Sequence, residues 1–465
     1  MIFFNSIPNI RKTSLLLAVS AFTLIAGCSS KEEKIDISTE ERISVLSYER
    51  KLTIDPRVTD TPMVLPPSFE NSSWAQPGGY PSHAMYHLSL ASEQSELFSV
   101  DMVEGSSGNA RIITPPIVAN DKVFAMGANL DIAAVDANSG EPVWQQSVAP
   151  DWKMKNSGLT RFIGMSESRV DNRDGFTGGI AYAEGRIFVA TGFGEVLALS
   201  AGTGEIIWRV RNVVPFSNAP TVRDGRIYVV SQDSRLQVFS VDDGARLWEN
   251  LAITEQAGIL SASSPAVSDQ VVVAGFNSGE VISMRVVNGT QNWSDSLSAR
   301  SLQVSPMSEL TAIVGRPVID RDRVFAVSHG GRMVSIDVRT GERVWTADIG
   351  SIETPWVAGG YVYVISTDAE LIALTRNLGR VRWVSNLPGF ENEKKRKGRI
   401  NWTGPIMAGG KLILASSQGD LYFVSPETGE VDRVEELDSG VNVSPVVAKA
   451  TLYLLTDDGE LIAYR

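Results

Sequence analysis

The side chains able to do chemistry in this chain are few. There is one cysteine, Cys28, and there are three histidines, His83, His87 and His329, in 465 residues. A lone thiol forms neither an intrachain disulfide nor a cysteine zinc site. His83 and His87 stand at the spacing of two metal ligands on a helix, but in a Pro/Gly-rich stretch without helical pattern, so both read as loop residues. His329 stands in His329-Gly330-Gly331 and reads as part of a turn. No Ser-His-Asp set and no phosphate-binding glycine loop occurs in a suitable setting. The basic run Lys394-Lys395-Arg396-Lys397 reads as a solvated loop, the alternative being contact with an acidic partner or anionic head groups. With 54 acidic against 42 basic residues and a net charge of −12, the balance argues against a nucleic-acid partner, which needs clustered positive charge. No metal and no cofactor are expected.

What the chain has instead is a repeat. A glycine is followed four residues later by tryptophan at Gly140/Trp144, Gly204/Trp208, Gly244/Trp248, Gly289/Trp293, Gly341/Trp345 and Gly379/Trp383, and Gly429/Arg433 keeps the glycine alone. In forms such as Asp136-Ala-Asn-Ser-Gly-Glu-Pro-Val-Trp144, side chains of Asp and Ser cap a turn and glycine supplies the positive φ that closes a hairpin. A short apolar strand precedes each unit, as in Val196-Leu-Ala-Leu199 and Leu371-Ile-Ala-Leu374. Upstream lies a second strand, opened by proline at 116, 220, 265, 317, 355, 405 and 445 and by Gly179 in the remaining repeat. These starts recur every 38 to 63 residues. Each interval holds four strands, A to D, and almost nothing between them reads as helix.

The pattern predicts an all-β fold: an eight-bladed β-propeller of four-stranded antiparallel blades. The chain ends at Arg465 after the C strand of the last repeat, while Leu97-Phe-Ser-Val-Asp101 has D-strand character with Phe98 at the tryptophan position. That N-terminal strand is expected to complete the last blade and close the ring, removing an exposed edge. The repeat resembles the docking motif of quinoprotein-type propellers. The resemblance implies that Trp144, Trp208, Trp248, Trp293, Trp345 and Trp383 lie between neighbouring blades in a structural role.

The N-terminus reads as an address. Arg11 and Lys12 precede an apolar run, Thr13 to Ala26, shorter than the roughly 20 residues of a membrane span. The run ends in Leu24-Ile25-Ala26-Gly27-Cys28, which resembles the lipobox of bacterial lipoproteins. This implies a signal peptide over 1–27 and lipidation of Cys28, each buried CH₂ adding roughly 0.8 kcal/mol to the anchor. Ser29, with no Asp beside Cys28, resembles sorting to the outer membrane, facing the periplasm. Residues 28–82 are expected to be a lipid-anchored flexible tether and pre-propeller segment, because Thr59 to Pro81 is rich in Pro, Gly, Ser and Asn. The propeller is expected over 83–465.

Lipobox, tether and eight blades ending on a C strand together resemble the BamB family of outer-membrane protein assembly factors, over about Leu97 to Arg465. The likeness is strongest from Val324-Phe-Ala-Val-Ser-His-Gly-Gly-Arg-Met-Val-Ser-Ile-Asp337 to Gly359. It implies a non-catalytic scaffold, a monomeric propeller within a hetero-complex. Its partners would be the periplasmic POTRA domains of BamA and other barrel-assembly components. The family's partner-binding edge matches Ile259-Leu260-Ser261 and Ala312-Ile313-Val314, without the charges of well-studied members. The location is expected to carry over as a more apolar contact, the alternative being buried loop residues. The longest connections, about Pro150–Thr177, Ser296–Val314 and Pro388–Trp402, all run from D to A and enlarge one face, the expected partner face. Two other functions compete: a propeller binding a small molecule or cell-wall fragment in its channel, and a quinoprotein dehydrogenase. The second lacks the adjacent cysteines and the carboxylate set that many such enzymes carry.

Overall fold

Proline or glycine opens each repeat, a two-residue turn follows, and an apolar run then inserts between two neighbours. In the computed structural model, which describes residues 52–465 except 60, 109, 151–177, 213, 217, 254–262 and 299–310, this plan recurs around a ring. Cys28 and the expected signal peptide lie outside the described residues. After a first strand, β1 (Glu96–Asp101), the first blade is built from β2 (Ile117–Ala119), β3 (Lys122–Met126), β4 (Asp131–Asp136) and β5 (Pro142–Ser147), hydrogen-bonded in that order. The β2–β3 turn residues Asn120 and Asp121 have φ of 51° and 59°, the left-handed conformation of a type I′ hairpin that Asn and Asp tolerate. The B strand β3 carries Val123 and Ala125 into one interblade cluster and Phe124 and Met126 into the next, which is why it reads as apolar throughout. The D strand β5 is the outer edge and alternates exposed and half-buried positions.

Eight four-stranded sheets follow this order. In the last, the order is β1, then Glu460–Tyr464, Thr451–Leu455 and Val446–Ala448, so the N-terminal strand supplies the missing D strand. Phe98 faces Ala463, and Ser95 and Arg465 exchange backbone hydrogen bonds of 2.9 Å in both directions. The ring closes as its sequence pattern predicts.

Neighbouring blades meet through the repeated aromatic. The indole of Trp144 donates to the Ala201 carbonyl of the second blade at 3.1 Å, and Trp208, Trp248, Trp293, Trp345 and Trp383 donate to Val241, Val286, Val338, Arg376 and Pro426. The glycine of each motif receives the ring of the preceding blade. Gly204 has φ of 76°, and a Cβ there would stand 2.6 Å from Cε3 of Trp144, so both backbone and space require glycine. Phe98 occupies the same place on Gly140. Across the sheet, the residue opposite the tryptophan is small at Ala134, Ala198, Ser283, Ser335 and Ala373, which lets the indole lie flat over the C strand. It then reaches a B-strand aromatic, as Trp144 reaches Phe124 at 5.8 Å and Trp383 reaches Tyr363 at 6.0 Å. Phe423 takes the small position in the seventh blade, and the Arg433 guanidinium stacks on its ring at 3.8 Å in place of an indole.

The segment expected to be tether does something else. Residues 71–88 run around the inside of the ring and bond to every blade in turn. Asn71 pairs with Val447 and Lys449 of the eighth blade, and Trp74 exchanges backbone hydrogen bonds with Val118 of the first. The Ala75 carbonyl accepts from Tyr182 of the second blade, Gln76 Oε1 from the Val222 N–H of the third, and the Pro81 carbonyl from Val267 of the fourth. The Ser82 carbonyl accepts from Ile319 of the fifth, the Tyr86 carbonyl from the Trp356 indole of the sixth, and Leu88 N–H donates to Met407 of the seventh. Most of these bonds fall where the A strand approaches the A–B turn, so the segment plugs that end of the channel. Trp74, Met85 and Leu88 are buried in the largest apolar cluster. The expectation of a flexible tether over 28–82 is therefore corrected for Asn71 to Ser82, and residue 82 marks no structural boundary; residues 28–51 lie outside the described residues. Composition misled because the segment buries little surface alone; the inner edges of eight A strands supply both its hydrogen-bond partners and its core.

One buried ion pair ties the plug to the ring. Arg376 Nε stands 2.6 Å from Asp320 Oδ2, Nη2 donates to the Asp320 carbonyl and Asp322, and Tyr86 Oη donates to Asp320 Oδ1 at 3.0 Å. Burial first, and then the Asp320 charge, push the Tyr86 phenol up to about 12, so it stays a donor at ordinary pH. Replacing Arg376 by Ala leaves the fully buried Asp320 carboxylate to Arg321 and the Tyr86 hydroxyl and is expected to cost up to about 3 kcal/mol in urea unfolding, while the double change Arg376→Met with Asp320→Leu loses less. Trp74→Ala is expected to cost about 3–5 kcal/mol in the same measurement. A cost below 1 kcal/mol would show that the plug is not integral to the fold.

Candidate functional site

Because the plug occupies the A–B end of the channel, the two ends of the axis differ. The D–A end keeps a cup with a cavity volume of about 150 Å³. Its wall is built from the residues that lead into the A strands, where a following proline holds the preceding residue extended. Thr114, Ala219, Ser264, Thr354 and Ser444 are such residues, and Arg316, before Pro317, is the charged one among them. Glu353 enters from the next blade, beside Thr354.

The electrostatics of the cup are set by burial. Glu353 Oε2 accepts from Thr403 Oγ1 and from the Gly404 N–H, both at 3.3 Å. Enclosure by protein nevertheless outweighs these bonds and the Arg316 charge, and pushes the carboxyl up to about 7. Burial likewise holds the Arg316 guanidinium below its ordinary value, with Glu353 acting the other way. Arg316 Nη1 donates to Thr354 Oγ1 at 3.2 Å, and its buried Nε has no hydrogen-bond partner. Beneath them, His83 Nδ1 donates to the Pro317 carbonyl at 2.7 Å and Nε2 is buried without a partner. Desolvation, then the Arg316 charge, lower this imidazole to about 3, so it remains neutral. His87 is different: Nδ1 donates to the Pro66 carbonyl and Nε2 accepts from the Gly410 N–H of the seventh blade, so both ring nitrogens are engaged. Among the described residues no group of three His, Cys, Asp or Glu side chains is placed to hold a metal.

The residues expected at the partner edge fare unequally. Ile259, Leu260 and Ser261 lie outside the described residues. Ala312 and Ile313 are 1% and 0% exposed, with Ile313 N–H bonded to the Phe276 carbonyl and its side chain in the cluster between the fourth and fifth blades. At these two positions the alternative holds and the expected apolar contact is corrected: both are buried loop residues, Ile313 packing against Gly275. Val314 stands in the wall of the cup. Of the three long connections, 151–177 and 299–310 lie outside the described residues. The third folds as a hairpin of Phe390–Asn392 and Lys397–Arg399 with the basic run exposed at its tip, pinned by the Trp402 indole on the Pro388 carbonyl at 2.8 Å. The sequence reading missed Leu251 and Ile253, 57% and 61% exposed at the end of the third blade's D strand. Their signal was available: an outer D strand normally ends in polar residues, and this one leads apolar side chains directly towards residues 254–262.

A family model described as outer membrane protein assembly factor BamB matches residues 128–385. BamB of Yersinia pestis is 25% identical over 350 residues, spanning 75% of this chain and 83% of the relative. BamB of Escherichia coli strain K12 is 23% identical over 347 residues, spanning 74% and 82%. Among solved structures, BamB from Moraxella catarrhalis superposes with a TM-score of 0.64 at 16% identity, covering 80% of this chain and all of the other. The quinohemoprotein alcohol dehydrogenase ADHIIG of Pseudomonas putida HK5 superposes with a TM-score of 0.61 at 12% identity, covering 85% and 80%. At such identities the structural likenesses establish the shared propeller.

The raised carboxyl of Glu353 has a definite pH signature. Its folded value of about 7 lies above the ordinary 4.5, so its contribution to stability is full below 4.5 and is lost as pH rises through 7. Glu353→Gln, which mimics the protonated form, is expected to raise stability at pH 8 by up to about 3 kcal/mol, at about 1.4 kcal/mol per pKa unit, and to leave it unchanged at pH 4. Thermal melts at the two pH values check this, and an equal shift at both would contradict it.

Proposed function

The chain belongs to the family of the outer membrane protein assembly factor BamB, and from that membership we propose that it is a non-catalytic scaffold of the machinery that inserts β-barrel proteins into the outer membrane. Its partners are the periplasmic POTRA domains of BamA, and its anchor is lipid on Cys28, holding it at the periplasmic face of the outer membrane. The observation that carries the reading is the family match across 128–385, which runs from the first blade into the sixth. The architecture supports it. A ring closed by its own N-terminal strand and plugged at one end is rigid, and a rigid ring suits presentation of loops at its opposite face.

Within that face, Leu251 and Ile253 favour the third-to-fourth blade edge as the partner contact. Exposed apolar side chains at the end of an edge strand gain by being covered. This replaces the buried Ala312 and Ile313 while keeping the contact beside the connection that holds Ile259, Leu260 and Ser261.

Two experiments test the reading. The full chain, solubilised from membranes, is expected to co-purify with BamA, and Leu251→Asp with Ile253→Asp is expected to lower the recovered BamA at least tenfold without changing the thermal melt. Undiminished recovery would remove this edge as the contact, and absence of every barrel-assembly component from the wild-type preparation would remove the scaffold role. Cys28→Ala is expected to abolish incorporation of labelled fatty acid into the chain; undiminished labelling would exclude the lipid anchor at Cys28.

A further inference from the structure

The axial cup holds two opposite charges that do not satisfy each other. Arg316 and Glu353 stand on the lead-ins of adjacent blades in one cavity wall, and neither forms an ion pair with another described residue. Each is tied down on one side and free on the other. Thr354 takes Nη1 of the guanidinium and leaves its Nε edge without a partner. Thr403 and Gly404 both bond Oε2 of the carboxylate and leave Oε1. We propose that the cup binds a small zwitterion, an amino acid or short peptide, with its carboxylate on the guanidinium of Arg316 and its ammonium on Oε1 of Glu353.

Charge arithmetic selects this class over simpler ones. A carboxylate alone would meet Arg316 favourably and Glu353 unfavourably, and an ammonium alone would meet the reverse. Only a ligand carrying both signs offsets both buried charges. The plug makes the cup blind at its lower end, so a ligand enters it from one side only. At about 150 Å³ the cup has room for an amino acid or dipeptide but not for a folded segment. The site is separate from the partner edge at Leu251 and Ile253, and stands or falls independently of the scaffold role.

The test is titration calorimetry on the full chain in detergent at pH 7.5, with L-alanine and L-alanyl-L-alanine as probes and N-acetyl-L-alanine and L-alaninamide as singly charged controls. At least one zwitterion is expected to bind, with both controls at least tenfold weaker. Arg316→Met and Glu353→Gln are each expected to weaken the zwitterion at least tenfold. In Glu353→Gln its advantage over N-acetyl-L-alanine is expected to disappear, a change that a general loss of structure would not produce. Absence of binding by both zwitterions, or equal binding by either control on the unaltered chain, overturns the proposal without reliance on any variant.

Discussion

The contact on which the ring depends is an indole lying on a glycine of the next blade. It combines three requirements at one place: a flat aromatic face, a backbone at positive φ with no Cβ, and a carbonyl within reach of the indole N–H. Because the tryptophan and the glycine of one motif face different neighbours, each repeat is at once donor and receiver, and the contact propagates around the circle. Its internal support comes from the same blade, where a small C-strand residue and a B-strand aromatic hold the indole flat. The seventh blade shows the tolerance of the scheme. Once Phe423 occupies the small position, a guanidinium can replace the indole because it too is flat and stacks.

Repetition creates two problems that the repeat itself does not solve. The first is closure, since a chain that begins and ends in the same repeat leaves two edges; β1 solves it by giving the last blade its outer strand and Gly140 its aromatic, Phe98. The second is the axis. Eight A strands converge with inner backbone groups that have no strand beside them, and a buried N–H or carbonyl without a partner costs about 1–3 kcal/mol. The segment from Asn71 to Leu88 answers by visiting all eight strands once, using its own backbone and the side chains of Asn71, Gln76 and His83. Glycine and proline, which weaken the segment alone, let it turn tightly enough to follow a circle of that radius.

The plug also makes the two faces of the disc chemically unequal. One end is sealed by packed residues and by the Tyr86–Asp320–Arg376 network; the other is a polar cup whose charges feel a desolvated environment. Burial shifts Glu353 and Arg316 there because the axis is the place where the lead-ins of eight blades meet. A scaffold role for the rim and a ligand role for the axis use different residues, and nothing in the fold sets them against each other.

By itself the sequence determined what repeats. Proline before each A strand, the apolar B run and the Gly–Trp spacing depend on local backbone geometry and on a face buried at every copy, so they recur in the text and announce eight blades and their closure at Phe98. The stretch ending at Cys28 resembles a lipobox for the same reason, a linear signal being readable without the fold. What only the tertiary structure decided is whatever occurs once. Residues 71–88 look unfoldable in isolation because their partners are spread over every blade. Ile313 looks like a loop residue because the glycine that receives it lies in the strand of another repeat unit. Arg316 and Glu353 are separated in sequence by the whole fifth blade and share a cavity only once the ring is assembled. Local propensity writes a repeat into the sequence, but the axis of a ring is a non-local place, and the chemistry gathered there follows from closure.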